Sequence, residues 1–114
     1  MRPLIYASAA AILAAGAHAD NPNCTTYGCK EVPERVLFSA SGHLTIYFSD
    51  PAPTELDCTL GEHGTAYVLS SQSGRDMIAS VLFTAMHTDT KVWMRIVSGS
   101  NPCEIKYVEQ HPNE

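Results

Sequence analysis

The residues of this chain best suited to chemistry are its four cysteines, its five histidines and a few aromatic side chains in strand-like runs. Cys24 and Cys29 are separated by Thr25-Thr26-Tyr27-Gly28, short enough for a local loop with Gly28 available for a turn. Four cysteines allow three pairings; that spacing favours Cys24 with Cys29 and leaves Cys58 with Cys103. In the chain-entropy account the short loop contributes roughly 2 kcal/mol and the long one about 4 kcal/mol. The rival chemistry is zinc. Zinc ligands usually come as close pairs such as Cys-x2-Cys, and Cys58 and Cys103 have no such neighbour.

Catalysis finds little support. A nucleophile needs a base and a group that orients the base. Ser41, Ser73, Ser98 and Ser100 fall in turns or at a helix start, and no Gly-x-Ser-x-Gly elbow occurs. Oxidised cysteines are removed as thiolate nucleophiles. His63 beside Glu62, with Asp57 nearby, is the one acid/base or metal constellation, and a solvated loop bounded by glycines is the better account of it. His43, His63, His87 and His111 show neither His-x-His nor His-x3-His spacing, so no metal, no cofactor and no enzyme activity are expected.

Aromatic residues make the better case. By period-two alternation Tyr47 shares a polar strand face with His43 and Thr45, while Trp93 and Arg95 share the face opposite Val92, Met94 and Ile96. Rings stack on the apolar faces of sugars, and hydroxyl or guanidinium groups fix orientation. Tyr47, Trp93 and Arg95 are therefore the candidate ligand-binding residues. The same side chains would also serve to cover a barrel end or pack against an N-terminal arm.

The elements that must position these residues follow from the hydropathy pattern. Arg2, an apolar run from Leu4 to Ala17, and Ala17-His18-Ala19 before Asp20 have the form of a cleavable signal peptide over 1–19, too short for a permanent span. Export to the periplasm or the medium follows from that reading, and an oxidising compartment suits the paired cysteines. The next stretch, 20–33, reads as an arm held by the local disulfide, 34–109 as one domain, and 110–114 as a polar tail. Formal charge is −5, with Lys and Arg scattered. Nucleic acid is thereby disfavoured as a partner, since its phosphates need a basic stripe.

Val36 to Phe38 and Leu44 to Phe48 are β-prone runs joined by Ser39-Ala40-Ser41-Gly42, with Leu44, Ile46 and Phe48 on the inner face. Asp50-Pro51-Ala52-Pro53 ends the second run. Thr65 to Ser70 reads as a third strand. Ser73-Gly74-Arg75-Asp76 has capping-box spacing, and Ile78, Val81, Leu82, Ala85 and Met86 form one helical stripe that stops near His87. Val92 to Val97 and Cys103 to Val108 are two final strands. The fold class is mainly β with one helix. The order β-β-β-α-β-β is that of a five-stranded OB-like barrel, in which the third and fifth strands run parallel from the same end and a Cys58–Cys103 bridge would staple the seam. An open α+β sheet with one packed helix is the alternative.

That order, the helix running into Lys91-Val92-Trp93-Met94-Arg95-Ile96, and the cysteine opening Cys103-Glu104-Ile105 resemble small exported bacterial OB-fold-like proteins of unassigned function. More distantly, the chain from Val32 to Glu109 resembles the binding (B) subunits of subtilase cytotoxin and pertussis-like toxins. The resemblance implies a non-catalytic barrel that binds cell-surface glycans and can assemble as a ring of five, although no glycan-contact motif transfers residue by residue. The expected function is a secreted or periplasmic binding module for a glycan or an exported protein partner. The alternative is a periplasmic structural or inhibitory protein that docks on another exported protein.

Overall fold

The computed structural model of the protein describes residues 21–49 and 51–110. The signal peptide expected over 1–19 lies outside the described residues, as does most of the polar tail. Among the described residues no helix is long and apolar enough to cross a membrane.

Among the described residues there are six short strands and one helix: β1 (Gly28–Glu31), β2 (Arg35–Phe38), β3 (Leu44–Tyr47), β4 (Thr65–Val68), α1 (Arg75–Thr88), β5 (Val92–Ile96) and β6 (Ile105–Glu109). They form two antiparallel three-stranded sheets, β1-β5-β6 and β2-β3-β4. The alternation that marks β3 works as expected: Leu44, Ile46 and Phe48 are buried while Thr45 and Tyr47 are half-buried. Met94 and Ile96 of β5, Val68 of β4 and Ile105 of β6 join them, and Ile78, Ala79, Leu82 and Ala85 of α1 complete one apolar cluster. Burying each large aliphatic side chain contributes roughly 1.5–3 kcal/mol, so the shared core holds both sheets to the helix.

The five-stranded closed barrel is not what the chain forms. Hydrogen-bonded ladders run continuously only within each sheet, and the sheets meet at isolated points: a parallel bridge between Tyr67 and Glu104, with the Tyr67 N–H donating to the Cys103 carbonyl at 2.8 Å, and a second parallel bridge between Cys58 and Ser100. The Cys58–Cys103 disulfide lies at this junction, and Cys24 pairs with Cys29, both as the spacing predicts. On the other side β1 and β2 are separated by Val32-Pro33-Glu34, and Pro33, buried and without an N–H, divides what would be one long strand between two sheets. The open α+β arrangement is the one that fits.

The stretch read as an arm thus supplies a strand, β1, and is fixed at its base by a buried polar cluster. Glu31, 3% exposed, accepts the Ser49 N–H at 2.8 Å and the Ser49 hydroxyl at 2.6 Å, while the fully buried Asn21 donates its amide to the Ser49 carbonyl at 3.0 Å. A carboxylate out of water is tolerated when its oxygens are occupied in this way.

The helix departs from expectation at its start. No capping box forms: Gly74, in the left-handed region at φ 86°, occupies the cap without a side-chain hydrogen bond, and Asp76 pairs with Arg75 at 3.0 Å instead of reaching back. Arg75 also donates to the Gly42 carbonyl at the β2–β3 hairpin. The difference follows from the cap falling on Gly74 instead of Ser73 and from Arg75 holding the Asp76 carboxylate that would have reached back. Asp89, with φ 54°, ends α1 one residue after Thr88, and His87 lies in the last turn. Within the stripe, Val81 and Met86 are half-buried instead of buried.

Candidate functional site

Antiparallel pairing places opposite residues on the same face of a sheet. In β1-β5-β6, Cys29 faces Met94 on the core side; the outer side brings Gly28 opposite Arg95, Lys30 opposite Trp93, Arg95 opposite Tyr107 and Trp93 opposite Glu109. Two of the three sequence-predicted binding residues, Trp93 and Arg95, therefore share one outward face.

Gly28 makes that face possible. A Cβ at this position would lie 2.4 Å from the Met94 carbonyl and 2.9 Å from the indole carbons of Trp93. The Trp93 ring consequently lies against the bare β1 backbone, half-buried, with part of its surface open. Beside it Tyr27, 49% exposed, places its ring 4.8 Å from the Arg95 guanidinium carbon, and Tyr107, 41% exposed, stands directly across the ladder from Arg95. Arg95 is held by stacking, and its buried Nε has no hydrogen-bond partner. A ring over the guanidinium plane orients the cation by its quadrupole while leaving in-plane N–H donors for a ligand.

Tyr47 is elsewhere. It belongs to β3 in the other sheet, half-buried, with the Arg35 guanidinium 4.5 Å from its ring centre. The remaining chemical candidates serve turns and junctions. His43 accepts the Ser70 N–H on Nδ1 at 2.9 Å; His63, with φ 62°, shapes the turn before β4; Ser100 donates to the Val97 carbonyl at 2.7 Å. Asp57 uses its backbone to bind Thr26 and Gly99. Among the described residues no group of three or more His, Cys, Asp or Glu converges as a metal site.

Tyr27 and Tyr107 are the members of this face that sequence reasoning missed. Tyr27 carried a signal, its place inside the Cys24–Cys29 ring. Tyr107 carried a misleading one: alternation from the buried Ile105 aims it inward, but the pairing shifts between Arg95 and Ile96, so that Ile96 faces Ile105 while Arg95 faces Tyr107, and the tyrosine turns outward. No protein-family model, curated protein or solved structure matches the chain.

Proposed function

We propose that this chain is an exported binding module that recognises glycans through the outer face of β1-β5-β6 and performs no chemistry on them. One observation carries the reading: the guanidinium of Arg95, oriented by the Tyr27 ring, shares an outward sheet face with the half-buried Trp93 ring and the exposed Tyr107. Open aromatic surface next to such donors suits a sugar, whose C–H faces stack and whose hydroxyl oxygens accept. The resemblance to toxin B subunits supplies the same ligand class. The junction of β4 with β6 and the near-continuity of β1 with β2 support the view of the fold as an opened relative of the OB-like barrel. Two disulfides favour an oxidising destination, periplasmic or secreted.

Retention of the oxidised protein on a glycan array tests the proposal. Wild type is expected to be retained by a restricted set of oligosaccharides, and Trp93→Ala to lose that retention while keeping the folded circular dichroism spectrum, with a melting temperature lowered by the lost packing on Gly28. Uniform absence of retention by wild type would refute glycan recognition.

Docking on another exported protein is a second reading, favoured by one feature. The sheet-edge strand β2 exposes Leu37 and Phe38, and Phe38 lies 5.9 Å from the exposed Phe83 of α1, an apolar patch on the other sheet. Capture of a partner that depends on Phe38 and not on Trp93 would favour it.

A further inference from the structure

The ring closed by Cys24 and Cys29 is tightly organised from within and from without. Inside it, the Thr25 N–H donates to the Gly28 carbonyl at 2.8 Å and the Tyr27 N–H to the Thr25 hydroxyl at 3.2 Å. Outside it, the Thr26 carbonyl accepts the Asp57 N–H at 2.8 Å and the Tyr27 carbonyl accepts the Ile96 N–H at 2.9 Å. Cys29 is fully buried opposite Met94, so one end of the ring is rooted in the core. From the middle of this small loop Tyr27 reaches over Arg95.

We propose that the Cys24–Cys29 ring is the positioning element of the outer face, and that Tyr27 is the positioning residue through which it acts on Arg95. The inference rests on the proposed role of that face in binding. Its physical basis is the way the guanidinium is held. A carboxylate partner would orient Arg95 by consuming its in-plane donors, whereas a stacked ring orients it and leaves those donors free. The stacked ring must itself be stationary. A tyrosine in an open, exposed loop would lose that order to backbone and rotamer freedom; closing the loop with a disulfide removes the freedom before a ligand arrives, which is preorganisation. The second disulfide, Cys58–Cys103, lies at the junction of the sheets, and its neighbour Asp57 meets this loop through the Thr26 carbonyl.

Side-chain NMR of Arg95 tests this in the folded, oxidised protein. In wild type the Arg95 Hδ resonances are displaced upfield by the Tyr27 ring current. Tyr27→Phe keeps that displacement and Tyr27→Ala abolishes it. The C24S/C29S double variant loses most of it while the Leu44 and Leu82 methyl resonances of the shared core stay in place. Should the double variant not fold, insertion of one glycine after Thr25, which keeps the disulfide and alters the size of the ring, takes its place with the same expectation. Full displacement in C24S/C29S or in the insertion variant overturns the role of the ring, and full displacement in Tyr27→Ala overturns that of Tyr27. On the glycan array, Tyr27→Phe binds like wild type, whereas Tyr27→Ala and C24S/C29S bind about tenfold more weakly. Wild type that binds no glycan defeats the function proposed above and leaves the ring-current result to decide the positioning.

Discussion

Replacing Gly28 by alanine puts a methyl carbon 2.4 Å from the Met94 carbonyl oxygen and 2.9 Å from two atoms of the Trp93 indole. The indole can swing outward, but the carbonyl belongs to the backbone of a central strand and yields only if the β1–β5 ladder opens. Overpacking of this kind costs about 1–3 kcal/mol, and the backbone clash places Gly28→Ala at about 2 kcal/mol. For a domain of this size that corresponds to a fall in Tm of about 8–16 °C. Gly99→Ala is the control. Gly99 has nothing within 4 Å of an added Cβ, and its φ of 76° isolates left-handed strain, about 1 kcal/mol. Thermal unfolding followed by circular dichroism gives the stability of both variants. Emission from Trp93, the chain's single tryptophan, reports whether the ring has left the β1 backbone. A Gly28→Ala protein with the melting temperature and emission spectrum of wild type would refute the packing of Trp93 on Gly28, and with it the construction of the outer face.

Glu31→Gln retains shape but weakens the acceptor for both Ser49 donors, so urea denaturation should show a loss of about 1–3 kcal/mol. Removing Cys58–Cys103, which spans a sequence separation of 45, should cost about 4 kcal/mol, against roughly 2 kcal/mol for Cys24–Cys29 with its separation of 5; equal losses in guanidinium denaturation would contradict the loop-entropy account. Tyr47→Ala should leave glycan-array retention at the wild-type level, since Tyr47 packs under Arg35 on the opposite sheet, and should reduce stability by about 0.5–1 kcal/mol through the lost stacking.

Features that depend on neighbouring residues were readable in the chain. Leu44, Ile46 and Phe48 announce β3 by alternation, Ile78, Leu82 and Ala85 announce the buried side of α1, and the Cys24–Cys29 spacing selects the pairing of all four cysteines. Features that depend on distant partners were not. Gly28-Cys29-Lys30-Glu31 has neither alternation nor β-branched residues, and it becomes a strand because β5 supplies its ladder and Gly28 admits the indole. Arg75 donates to the Gly42 carbonyl, a contact across 33 positions of sequence. The candidate site divides in the same way. Trp93 and Arg95 lie on one strand, where parity relates them directly; Tyr47 was grouped with them by residue type alone, and the division into two sheets separates it.

The interleaving of the two sheets sets an order of assembly. The strands β2, β3 and β4 are consecutive, so the sheet they form needs no later part of the chain, whereas β1 waits for β5, and β5 for β6, at the far end. During synthesis β1 therefore remains without its ladder until β5 and β6, beyond the helix, have emerged, whereas the β2-β3-β4 sheet has all its strands before the helix begins.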